Sequence, residues 1–217
     1  MHHRGTLQLF HYWTQQRGDR AAPNRSDISP AAISNILGNT FILEGDAGDA
    51  GFRLAGTRLC NAFGRELRGS TLIDLFTPRD RILMAKAANT VFNGGNIVVG
   101  DAVADAGADK HISLELLLMP LGDQQMRILG SIQFLEQPYW LGSAPLGKID
   151  LVTLKHADPD TELVSLSNRP PVMLPEQRQQ DRRARFWHVL DGGRHEASAS
   201  VERARGFSVI NGGRVDP

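Results

Sequence analysis

Apolar and polar positions alternate with a period of two along much of the middle of this chain. Between residues 111 and 121, Ile112, Leu114, Leu116 and Leu118 alternate with His111, Ser113, Glu115 and Leu117, which predicts a strand with one face in a core. Residues 125–136 repeat the pattern, with Met126, Ile128, Ile132 and Phe134 set against Arg127, Ser131 and Gln133. Gly130 falls where a side chain would otherwise fill the concave face. Residues 96–104 read as another strand, and turns near Asp105, Ala106 and Gly107 and near Gly122 and Asp123 join the three. Upstream, two short apolar runs at 41–44 and 52–57 flank Gly45, Asp46, Gly48, Asp49 and Gly51. Those glycines and aspartates supply positive-φ positions and local side-chain turns, so the two runs form a hairpin.

Helical spacing appears around these strands. Residues 6–17 place Leu9, Phe10 and Trp13 on one face, with Gln8, His11, Gln15 and Gln16 elsewhere, an amphipathic helix. Leaving those three side chains in water would forgo about 1.5 to 3 kcal/mol each, so the helix docks on its own domain or on a partner chain. Ser29 before Pro30 starts a short second helix with Ile33, Ile36 and Leu37 on one face and Gly38 as its stop. Asn61 caps a short helical turn, and Gly64 and Gly69 end short helices. Thr77, Pro78 and Asp80 open a longer helix whose predicted buried face is Ile82, Leu83, Ala87, Val91 and Phe92, ending at Gly94 and Gly95.

The order is thus helix, helix, two strands, short helices, one longer helix and three strands. Hairpin, Asn-led short helix, the Gly64 to Gly69 spacing and the following Leu72, Ile73, Leu75 and Phe76 resemble the PAS domain family over residues 34–136. The implied fold is α+β: a five-stranded antiparallel sheet with helices on one face around a small cavity, preceded by the amphipathic helix and followed by an extended C-terminal tail. The expected divisions are 1–29 for the helix and lead-in, 30–140 for the PAS-like domain and 141–217 for a partly disordered extension. Within that extension Leu151, Val152, Thr153 and Leu154 offer one more strand, and residues 186–190 a short docking segment. Phe10, His11, Tyr12 and Trp13, then residues 25–30 and 52–57, and the late Asp191, Gly192, Gly193 and Arg194 are similar to single-PAS proteins of alphaproteobacteria. That likeness implies a cytoplasmic regulatory or sensory module in signalling that governs motility or the cell cycle, and implies no reaction.

Composition narrows the chemistry. In 217 residues lysine plus arginine equal aspartate plus glutamate at 24 each, so no large net field draws the molecule to nucleic acid or an anionic membrane. Cys60 is the single cysteine, which excludes an internal disulfide and a cysteine-cluster metal site and suits a reducing cytoplasm. No segment approaches the roughly 20 apolar residues of a membrane span.

Cofactor chemistry finds little support. Light-sensing relatives carry a flavin-reactive cysteine just after the second glycine, where this chain has Ser70, Thr71 and Leu72, and Cys60 lies too early. Haem-binding relatives use a histidine from the long helix, and residues 78–94 hold none. The histidines show no paired metal-ligand spacing, and Asp101, Asp105 and Asp109 read as solvated turn acids. Ser131 lacks the second glycine of a nucleophile elbow. Arg182, Arg183 and Arg185 read as a solvated cluster.

Candidate binding residues are therefore few. Met84, Phe92, Met119 and Phe134 stand on the helix and strands that would bound the cavity, with ordinary core packing as the competing role. Arg53 either pairs with Glu44 across the first hairpin or contacts a cavity ligand. Leu9, Phe10 and Trp13 are the candidate dimer contact, since a symmetric pair can bury its apolar stripe against its copy. The reading is a non-enzymatic signalling module, a homodimer whose partners are signalling proteins such as a histidine kinase or a polar scaffold, with an unknown small ligand in the cavity as an added input. The alternative is a receptor for a metabolite or lipid-like molecule.

Overall fold

A computed structural model describes residues 1–45, 49–93, 96–107, 109–122 and 127–160, which belong to one compact unit. Helix α1 spans Arg4–Arg17, strands β1 and β2 span Thr40–Glu44 and Gly51–Ala55, and a short helix α2 spans Thr57–Ala62. Helix α3 follows at Pro78–Phe92, then β3 at Ile97–Asp105, β4 at His111–Leu121, β5 at Arg127–Phe134 and β6 at Ile149–Ala157. The sheet runs in the order β2-β1-β5-β4-β3-β6, and every neighbouring pair is antiparallel.

The sheet has six strands where the sequence pattern predicts five. The sixth is β6, in which Leu151 to Leu154 pair along β3. A bulge pairs Asp101 with Thr153 and Ala102 with Leu151, so Val152 has no partner on β3 and its side chain is exposed. Asp80, buried at the start of α3, anchors the strand by accepting a 2.8 Å hydrogen bond from the backbone N–H of Leu151.

Helices cover both faces of the sheet, not one. On the first face α2, α3 and the 3-10 turn Leu72–Leu75 pack against Phe41, Leu43, Val98, Leu114, Leu116, Leu118, Ile128, Ile132 and Phe134. On the second, α1 and the 3-10 turn Pro30–Ile33 pack against Ile42, Ile97, Leu117, Met119, Leu121 and Leu129. The alternation in β4 and β5 therefore separates two cores instead of a core and a solvent face. Leu117, Met119 and Leu121 sit on the face that Ser113 and Glu115 made look polar, and α1 supplies the apolar partner they require.

Local signals account for most of the remaining elements. Pro78 opens α3, and Gly64 and Gly69 adopt positive φ values of 62° and 83°. Three readings need correction. Residues 30–39 form two 3-10 turns, Pro30–Ile33 and Leu37–Asn39, in place of a helix. Asn61 lies in the last turn of α2, whose N-cap is Gly56. In α3 the buried stripe is Asp80, Met84, Ala87, Ala88, Val91 and Phe92, while Ile82 and Leu83 are exposed. Met84 fixes that phase: positions three, four, seven and eight beyond it share its face, and 82 and 83 do not.

Candidate functional site

Met84, Phe92 and Phe134 lie on the face of the sheet where the cavity is expected, among the side chains of its core. All three are buried and belong to one cluster with Phe52, Leu59, Phe76 and Leu116. Met119 does not join them. It is odd-numbered on β4, like Leu117, so its side chain leaves the sheet on the opposite face, beneath α1.

Arg53 stands at the surface. A bulge between Ile42 and Leu43 sets Leu54 opposite Ile42 and Phe52 opposite Leu43, so Arg53 has no partner on β1 and both Arg53 and Leu54 reach solvent. Its Nε lies 3.7 Å from Glu44, which also accepts a 2.9 Å hydrogen bond from Arg127. The predicted surface pair is thus the observed one. Beside it, an apolar recess of about 70 Å³ is lined by Ile28, Ile33, Leu37, Ile42, Leu54 and Leu129, and Arg53 itself borders two surface hollows of about 320 and 350 Å³, one with Glu44 and Thr71 and the other with Arg25, Ile42 and Arg127.

The second face carries the more unusual arrangement. Leu9, Phe10 and Trp13 are wholly buried within their own chain, and Trp13 Nε1 donates a 2.8 Å bond to the Pro120 carbonyl. Packed this way, they have no surface left for a second copy. Toward the start of α1 the interface turns polar. Gly5 lies against the Gln133 amide, and Thr6 Oγ1, Ser131 Oγ and Gln133 Nε2 are buried without a hydrogen-bond partner. An unpaired buried polar group costs about 1 to 3 kcal/mol, and Arg17 Nε, at the far end of the helix, is a fourth such atom.

A row of polar side chains crosses the sheet beneath that turn. Gln133 on β5 faces Glu115 on β4, Glu115 faces Asp101 on β3, and Asp101 faces Thr153 on β6. Glu115 is fully buried and accepts hydrogen bonds from the backbone N–H groups of His2 at 2.6 Å and His3 at 3.3 Å. Thr153 Oγ1 donates to Asp101 at 2.8 Å. Asp101 is therefore a mid-strand residue, not a turn acid.

An antiparallel sheet ordered 2-1-5-4-3, with short helices and one longer helix on one face, is the architecture that the sequence resemblance implies. A family profile described as PAS domain matches residues 1–133. The chain belongs to the PAS domain family. No curated protein matches the sequence at a significant level. The match takes in α1 and ends inside β5, short of β6, which joins the same sheet beside β3. Family membership supports a sensory or regulatory role in signalling. Among the described residues, no helix is long and apolar enough to cross a membrane.

Among the described residues four titratable groups are perturbed: Asp27 and Asp74 are lowered, chiefly by hydrogen bonds from the Arg20 and Thr71 side chains, and Cys60 and His111 are raised. Burial pushes the Cys60 thiol up, and Glu66, 3.5 Å from the sulfur, adds to the shift, which leaves a thiol of low reactivity at neutral pH. His111 opens β4 at the surface. Its Nδ1 lies 2.5 Å from Asp105, whose carboxylate raises the imidazole above its ordinary range. The polar row was missed in the sequence because Glu115 occupies a position read as solvent-facing. Apolar Leu117, Met119 and Leu121 on the same face were the available signal. Gly94, Gly95, Met126, Arg182, Arg183, Arg185 and residues 186–190 lie outside the described residues.

Proposed function

We propose that this PAS domain is a regulatory module that works by binding other proteins, without a reaction of its own, and that α1 is its moving part. One observation carries the reading: beside the apolar contacts of Leu9, Phe10 and Trp13, α1 covers the unpartnered buried atoms Thr6 Oγ1, Ser131 Oγ and Gln133 Nε2. A helix docked over unpaired polar groups opens at a lower cost than the domain unfolds. Opening would free Ile42, Leu117, Met119 and Leu129, an apolar strip that a second copy or a signalling partner can cover. Exposure of that strip makes a protein partner, in preference to a metabolite, the signal in this reading. The setting we propose is cytoplasmic signalling linked to motility, with a histidine kinase or a polar scaffold as the kind of partner the family membership suggests.

Hydrogen exchange on the full chain tests the moving helix. Amides of α1 should exchange through local opening, faster than those of β4, and Phe10→Asp should speed them further and raise the mass in solution through self-association. Amides of α1 that exchange only with global unfolding would overturn the reading.

A further inference from the structure

We propose that His2, Asp101 and Glu115 form a binding site for a divalent transition-metal ion that fastens the start of α1 to the sheet. One ligand atom from each of the three side chains lies within 4.8 Å of the others. Donors about 2.1 Å from a tetrahedral ion stand about 3.4 Å apart, so closing on an ion needs shifts of up to about 1.4 Å, which rotation of the exposed His2 side chain can supply.

The argument starts from charge. Asp101 and Glu115 are directly opposed across β3 and β4 on the same face, a juxtaposition of like groups that destabilises a sheet unless something offsets it. Glu115 is 0% exposed, which removes the water that would otherwise screen it. Among the described residues no arginine or lysine pairs with either carboxyl group. Their partners are two backbone N–H groups and the Thr153 hydroxyl, none of which carries charge. Among the described residues the His2 imidazole is the basic group within 4.8 Å of both, and an ion held by all three side chains would offset the repulsion.

A second feature on the same row indicates the same. Gln133, directly across from Glu115 on the other side, is 3% exposed, and its Nε2 has no acceptor. A water held by an ion at the carboxylates would give that donor an acceptor. His3 is excluded as the imidazole ligand because its Nδ1 accepts the Gly5 N–H at 3.0 Å as the cap of α1. His2 is exposed and leads directly into that cap, so its imidazole is the one that can turn onto an ion. One imidazole nitrogen with two carboxylate oxygens suits zinc and its first-row neighbours better than calcium or magnesium, which prefer oxygen alone.

Bound there, the ion would join the residues before α1 to two strands of the sheet, adding to the bonds that His2 and His3 N–H already make to Glu115. This goes beyond the proposed moving helix and does not depend on it, because ion binding is read directly. The test is calorimetric titration of zinc sulfate into the untagged, chelator-treated full chain. One ion should bind per chain, and His2→Ala, Asp101→Asn and Glu115→Gln should each weaken binding by more than the roughly 10-fold lost with a mere supporting partner. Zinc should also slow hydrogen exchange in the first turn of α1 in the unaltered protein and not in His2→Ala. No stoichiometric binding, or unchanged affinity in His2→Ala, a surface substitution that leaves the core intact, would overturn the site.

Discussion

The ring of Phe41 lies across Gly130, its cross-strand partner on β5, in the space where the Cβ of any other residue would stand. Phe41 also meets Phe52 edge-on with ring centroids 5.3 Å apart, so the hairpin and β5 are locked through one aromatic side chain. Gly130→Ala should cost about 1 to 3 kcal/mol, the range for overpacking a filled core. Urea denaturation measures it, and pairing Gly130→Ala with Phe41→Leu should recover part of the loss, since contacting residues couple. Full additivity of the two would mean that the ring does not limit the site.

Asp80 joins the start of α3 to β6 through the Leu151 N–H. Asp80→Ala leaves that part-buried donor without its acceptor and should cost about 1 kcal/mol, with faster hydrogen exchange concentrated in β6. Asp80→Asn, which keeps an acceptor, should lose much less. Equal losses from both substitutions would count against the bond.

Thr6 Oγ1 and Ser131 Oγ are buried without partners. Thr6→Val and Ser131→Ala should therefore leave stability unchanged or raise it by about 1 kcal/mol, because each removes an unpaid polar burial. They should also slow the opening of α1. A marked loss of stability in both would mean that a buried water bonds the two hydroxyls.

Asp105 raises the His111 imidazole through a direct hydrogen bond. A folded value above the unfolded one means that this pair contributes its stability fully below the ordinary histidine range, and loses it as pH rises through the raised value. Asp105→Asn should move the His111 titration, followed by NMR of the ring protons, to lower pH. An unmoved titration would remove Asp105 as the cause.

Much of the fold was legible because its signals are local. Gly64 and Gly69 adopt the positive φ their turns require, Pro78 starts α3, and the alternation of Ile112, Leu114, Leu116 and Leu118 marks one face of β4. What was not legible depends on pairing across long separations. Glu115 reads as a solvent-facing residue until α1 is laid over it, and His2 and Glu115 meet across 113 positions of sequence, a distance no spacing rule spans. Leu9, Phe10 and Trp13 stated that the helix must dock, but apolar residues name no surface. The phase of α3 was misread for a related reason: Ile82 and Leu83 are as apolar as Met84, and only the neighbours decide which side turns inward.

Strand β6 has a practical consequence. It borders β3 from Ile97 to Ala104, yet its residues come after the family resemblance stops at residue 133. A fragment trimmed at that limit would leave β3 with a long, valine-rich margin of unused N–H and C=O groups, a template on which other molecules stack. The added strand is the selvedge of that margin, and a version of this protein cut before Ile149 should self-associate in solution where one cut after Ala157 does not.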